Sequence, residues 1–336
     1  MRCTQGLVGL AMVLLAAGAV QAAITIDTVP VGKPGNAADT RYQTPGYGAV
    51  AYEYNIGKYE VTAGQYTTFL NAVAKTDTYG LYNANMWLNN YGCKIERTDT
   101  GSGYSYSVAS DWANRPVNYV SFWDACRFAN WLHNGQPIGL QGAGTTETGA
   151  YTLGGYNGVD GRTIQRNNGW KWAVTSEDEW YKAAYDKNDG DTGNYFDYPT
   201  SSDSVPSHDL INPDPGNNMN FYDSGYTIGS PYYRTPVGEF GLSESPYNTF
   251  DQGGNVSEWN EAIVFESTDW SGRGRRGGPF SDDGYFLRAA YRPYRSPSIE
   301  DLALGFRVSE VPEPATLSLL ALGGALALLR RRSASS

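Results

Sequence analysis

Apolar positions recur at helical spacing in three places along the chain. Tyr66, Phe69, Leu70 and Val73 fall on one face of a helix that Thr62 can cap and that runs through Ala74. Ser121-Phe-Trp-Asp124 makes a capping-box-like start, with Asp where Glu or Gln is usual, to a helix ending near His133, where Gly135 can stop it. Thr175-Ser-Glu-Asp-Glu-Trp180 opens the third, which runs through Tyr185. Elsewhere short aromatic or β-branched runs alternate with Gly, Asn, Asp and Pro, a pattern that predicts short strands and long ordered loops. The two long uninterrupted apolar runs lie at the ends, Gly6 to Val20 and Ala315 to Leu329.

The first run follows a basic start and closes on Val20-Gln21-Ala22, the layout of a secretory signal peptide over 1–22, with the cut expected after Ala22. The second spans fifteen residues, about 22 Å as a helix against a hydrocarbon core of roughly 30 Å, so it holds a membrane only marginally. Arg330, Arg331 and Arg332 would stay on the cytoplasmic side, leaving the body facing outward. Pro312-Glu313-Pro314, the apolar run and the arginine cluster together resemble the PEP-CTERM sorting signal of Gram-negative bacteria, here over 311–336. That resemblance implies an exosortase partner that processes the tail, and a transient inner-membrane anchor before processing. It also implies a final place at the outer surface or in an exopolysaccharide or biofilm matrix.

Between the ends lie 288 residues, 23–310, with no Ser/Gly linker or charge block, consistent with one domain. A balance of 35 acidic to 25 basic residues argues against a nucleic-acid partner. Cys3 leaves with the signal peptide, and Cys93 and Cys126 remain as a possible disulfide or as two separate buried thiols. With 26 Tyr, 9 Trp and 40 Gly, order must come from aromatic packing and fixed turns, and long loops of this kind commonly need a tie such as a metal ion.

Eight segments occur in one order: Tyr54-Asn-Ile-Gly-Lys-Tyr-Glu-Val-Thr-Ala-Gly-Gln-Tyr66, Arg115-Pro-Val-Asn-Tyr-Val-Ser-Phe-Trp-Asp-Ala125, Trp172-Ala-Val-Thr-Ser-Glu-Asp-Glu-Trp-Tyr-Lys-Ala-Ala184, Thr235-Pro-Val-Gly238, Phe250-Asp-Gln-Gly-Gly-Asn-Val-Ser-Glu-Trp259, Arg276-Gly-Gly278, Leu287-Arg-Ala-Ala-Tyr-Arg292 and Gly305-Phe-Arg-Val308. Together they resemble the sulfatase-modifying factor family, the formylglycine-generating enzyme domain. The resemblance implies a single α+β domain related to C-type lectin folds, with little regular secondary structure and long ordered loops. Chemically, Asp251 and Glu258 supply hard carboxylate oxygens across a Gly253-Gly254 turn, which suits calcium. The family pattern extends that set to the carbonyls of Gly254 and Val256, and puts a second calcium near Asn220 and Phe221.

Active members of the family oxidise a substrate cysteine with O₂ and copper held by two cysteines in the loop after the Arg-Gly-Gly. Here those positions fall on Asp282 and near Tyr285, neither of which replaces a thiolate for soft Cu(I), so no catalytic residue is assigned and copper is not expected. A histidine-ligated iron site needs more than His133 and His208, and His133 suits a helix C-terminus. The stretch 276–292 is thus a binding loop or a structural turn. Asp282, Asp283, Tyr285, Arg288, Tyr291, Arg292 and Trp259 combine hydrogen-bonding groups with flat faces, a mixture that suits sugars or an extended peptide. The leading expectation is an exported, non-catalytic module, a pseudoenzyme, that binds polysaccharide or protein with calcium. The alternatives are a formylglycine-generating oxidase acting on exported sulfatases and a purely structural envelope component.

Overall fold

The computed structural model describes residues 23–190 and 192–312. The signal peptide, its cut after Ala22, and the sorting segment beyond Pro312 lie outside the described residues. Among those described, no helix is long and apolar enough to cross a membrane.

In chain order the elements are β1 (Thr28–Val31), β2 (Tyr54–Gly57), α1 (Ala63–Val73), α2 (Asn85–Leu88), β3 (Ile95–Asp99), β4 (Tyr104–Val108) and α3 (Phe122–His133). There follow β5 (Trp172–Val174), α4 (Glu177–Tyr185), β6 (Ser257–Glu266), β7 (Ser271–Arg276), a 3-10 turn (Gly284–Leu287), β8 (Tyr294–Arg295), β9 (Leu304–Gly305) and β10 (Val308–Glu310). This is a mixed α+β architecture of short strands and few helices, as the sequence leads one to expect.

The three long helices begin where local chemistry starts them. Thr62, Ser121 and Ser176 each accept from the backbone N–H three residues on, and Gln65, Asp124 and Glu179 each return a bond to the cap's own N–H. Each cap satisfies amides that the first turn would otherwise leave unpaired. After α3, Gly135 takes φ +80° and the Gln136 N–H closes on the Trp131 carbonyl, which ends the helix. The four-residue α2 has no side-chain cap and carries no sequence signal. His133 ends α3, and its Nδ1 accepts from the Lys171 N–H, while burial, then Lys171, hold its pKa below the ordinary value. It sits there as a neutral acceptor.

Strands β1-β2-β10-β5 form one antiparallel sheet, β3-β4 a hairpin, and β8-β7-β6-β9 a second four-stranded sheet in which β6 and β9 run parallel. The main core lies between α1, α3 and the sheets, where Phe69 meets Phe128 and Trp131, each at 5.3 Å between ring centroids, and Phe128 meets Phe306 at the same separation. Cys93 and Cys126 are both buried in this core as free thiols, which corrects the disulfide reading. The Cys93 sulfur faces the Asn118 carbonyl, whereas Cys126 sits on α3 near Arg273 and Glu261.

Glu258 and Arg307 bind the parts together. Both side chains are fully buried, and the guanidinium meets the carboxylate at 2.6 and 2.7 Å. Arg307 also donates to the Gly57 and Phe250 carbonyls, while Trp180 Nε1 on α4 donates to Glu258 at 2.8 Å. One ion pair therefore touches β2, α4, β6 and the turn before β10. Arg307→Met should lower unfolding free energy by about 3–5 kcal/mol in chemical denaturation, because it strands a buried carboxylate. The double variant Glu258→Leu/Arg307→Met should recover much of the loss.

Candidate functional site

The 276–292 loop is built from its base outward. At its root, Arg276 is buried and donates through Nε to Glu177 Oε1 at 3.0 Å and through Nη1 to the Ala289 and Tyr291 carbonyls. Arg292, at the far end, reaches the same carboxylate with Nε at 2.8 Å and Nη2 at 2.6 Å. Glu177 opens the first turn of α4, where a carboxylate is favoured, and the two arginines hold its pKa below the ordinary value against the cost of burial. Arg292 is therefore a clasp of the loop rather than a ligand contact, which corrects its expected role.

Gly277 and Gly278 follow with φ of +91° and +64°, and a Cβ on Gly277 would lie 2.6 Å from the Gln252 carbonyl oxygen. Their carbonyls accept from the Gly254 N–H, so this turn is pressed against the Gly253-Gly254 segment. Asp283 then caps the 3-10 turn by accepting from the Tyr285 N–H at 2.8 Å, and Leu287 anchors it in a small core with Tyr198, Met219 and Phe221.

The loop's expected ligand groups separate. Asp283, Tyr285 and Arg288 line a cleft of about 340 Å³ together with Tyr198, Val205, Phe221, Tyr222 and Asp223. Tyr285 is 60% and Tyr222 39% exposed, and the Arg288 guanidinium lies 5.9 Å from the Tyr285 ring centre. Asp282 turns to a different cavity of about 190 Å³ with Ser281, Arg275, Arg295 and Asp301, where burial raises its pKa. Its carbonyl accepts from the Tyr222 N–H, which ties the loop to the opposite wall of the cleft. Tyr291 packs on Phe286 and Tyr285 and buttresses the turn. Trp259 is not at the site: it is fully buried, donates to the Val120 carbonyl and meets Phe122 edge-on. Its place on β6 points it into the core.

Tyr198, Val205, Tyr222 and Asp223 escape the sequence reading, since nothing local links them to a loop some sixty residues or more away. The one usable signal is the mixture of tyrosines, one acid and one glycine in Phe221-Tyr-Asp-Ser-Gly-Tyr226. Glu177 escapes for another reason, because a first-turn acid already has an adequate explanation as a dipole partner.

Several of the oxygens expected to hold calcium already have protein partners. Glu258 already faces Arg307 and Trp180. Asp251 accepts from the Gly238 N–H at 2.6 Å, and burial pushes its pKa up to about 6. The Asn220 carbonyl accepts from the Asn255 N–H, and the Phe221 carbonyl from the Thr227 hydroxyl at 3.1 Å. Among the described residues no cluster of three or more acids, histidines or cysteines could hold a metal. A thiolate-bound copper fits no better, since the loop has no cysteine and burial raises the pKa of both remaining thiols. A chelator should leave the melting temperature of the purified protein unchanged in a thermal scan; a fall of several degrees would show a stabilising metal.

The sulfatase-modifying factor enzyme 1-like domain family model matches residues 8–311, and the PEP-CTERM protein-sorting motif matches 310–333. No curated protein matches the chain. Among solved structures, CarF is 20% identical with a TM-score of 0.53, covering 86% of this chain and 99% of its own. The Treponema denticola variable protein 1 is 16% identical with a TM-score of 0.49, over 85% of this chain and 95% of its own. PvdO from Pseudomonas aeruginosa is 18% identical with a TM-score of 0.44, over 85% and 91%. The likeness to CarF is one of fold. With its eight ordered segments, loop-rich α+β body and C-terminal sorting motif, the chain belongs to the sulfatase-modifying factor enzyme 1-like domain family, on an exported protein sorted through an exosortase.

Proposed function

We propose that this is a surface or matrix protein of a Gram-negative envelope whose domain binds a polysaccharide in the Tyr222–Tyr285 cleft and carries no oxidase chemistry. Before processing, its C-terminal segment is inserted in the inner membrane. The observation that carries the binding reading is the exposed Tyr285 and Tyr222 beside Asp223, Asp283 and Arg288 around one cleft. Flat aromatic faces suit the apolar face of a sugar ring, carboxylates accept from hydroxyls, and a guanidinium donates to ring or acidic oxygens. The missing thiolate pair argues against the copper-dependent oxidation of active relatives.

The test is retention of the producing cell's own matrix polysaccharide by the purified protein. Tyr285→Ala and Arg288→Ala should each weaken retention by about tenfold or more, equivalent to about 1.4 kcal/mol. Binding that both variants keep would move the site elsewhere, and no binding by the parent would favour the structural envelope component. A cysteine peptide incubated with the protein, copper and O₂ should stay unmodified; formylglycine in the product would restore the oxidase reading.

A further inference from the structure

The last described residues are fixed to the domain. Ser309 in β10 pairs with Ile56 on one side and Ala173 on the other, and the Val311 N–H donates to the Lys171 carbonyl at 2.9 Å. The apolar run begins at Ala315, three residues after Pro312. Fully extended, those residues reach at most about 11 Å. The headgroup layer on one side of a bilayer is itself roughly 5–7 Å thick. With the run inserted, the face around Val311 stands at most about 4–6 Å from the headgroup layer.

The other end of the domain meets the same face. Ile24 is held from both sides by Gln136, whose Oε1 accepts from its N–H at 2.8 Å and whose Nε2 donates to its carbonyl at 2.9 Å. Gln136 follows α3, whose last residue, His133, accepts from the Lys171 N–H at 3.0 Å. Lys171 thus joins the surroundings of Ile24 to Val311. The segment that would carry the signal peptide and the segment that carries the sorting motif leave from one side.

The side chains there suit an interface. Trp170 and Trp172, both partly exposed, flank the exposed Lys171, and Tyr52, 42% exposed, meets Trp170 at 6.4 Å. Two and four positions beyond Gln136, Ile138 and Leu140 stand 61% and 60% exposed. Trp and Tyr concentrate at headgroup level, and a lysine beside them keeps its charge in water. Resting on the membrane-inserted tail proposed above, we infer that this face, formed by Ile24, Ile138, Leu140, Trp170, Lys171 and Trp172, docks on the phospholipid headgroups while the C-terminal segment is inserted.

The test uses the full chain with its sorting segment in vesicles of phosphatidylethanolamine and phosphatidylglycerol, some bearing a headgroup nitroxide. An environment-sensitive fluorophore is attached in turn at Ile138→Cys, Leu140→Cys, the reference Leu242→Cys and, within the apolar run, Leu320→Cys. Leu242 is 64% exposed, so the surface probes replace outward side chains and leave the core alone. The expected result is quenching several-fold stronger at 138 and 140 than at 242. Equal quenching at all three surface positions, with the 320 probe shielded in the bilayer, overturns the docking face and leaves insertion standing. A 320 probe left in water refutes insertion itself, and the docking face with it.

Discussion

Buried arginines set the terms on which this chain folds. Loops that run through an interior leave carbonyls with no ladder partner, and each such group is costly without a donor. Arginine brings five N–H donors on one rigid fork. Arg273 reaches the carbonyls of Gly161, Ile164 and Glu261, Arg276 those of Ala289 and Tyr291, and Arg307 those of Gly57 and Phe250. Arg234 holds the Tyr91 carbonyl, and Arg115 the carbonyl of Arg234. Carboxylates at Glu177 and Glu258 balance two of these charges, so at Arg276 and Arg307 the same contacts order the loops and offset the buried charge.

The candidate site inherits its geometry from that arrangement. Arg276 and Arg292 fix both ends of the loop on one carboxylate, the glycine pair presses its root against the Gly253-Gly254 segment, and Leu287 pins the 3-10 turn. What remains free is the tip, with Tyr285 and Arg288 facing outward. A binding group held on such a frame loses little conformational freedom when a ligand arrives.

Local features were legible in the sequence and distant ones were not. Capping is decided within four residues, so Thr62, Ser121 and Ser176 announce their helices. The family likeness was legible because it rests on the order of short segments. The partner of Glu258 lies 49 residues away, so its carboxylate reads equally as a metal ligand or half of an ion pair until Arg307 is placed against it. Trp259 misleads similarly, since a tryptophan beside a conspicuous acid looks the same in sequence whether its strand turns it inward or outward. The cleft joins residues from 198 to 288, and no periodicity spans that distance.

β10 occupies an interior position of its sheet, between β2 and β5, with Ser309 set against Ile56 more than two hundred and fifty residues earlier. The first hairpin, β1-β2, must therefore wait for nearly the whole chain before it gains its second neighbour, a pairing of high contact order that is slow to find. The strand that completes the sheet also stands immediately ahead of the sorting motif. Export thus delivers the closing piece of the fold and the sorting address together: the sheet stays open until the address has arrived.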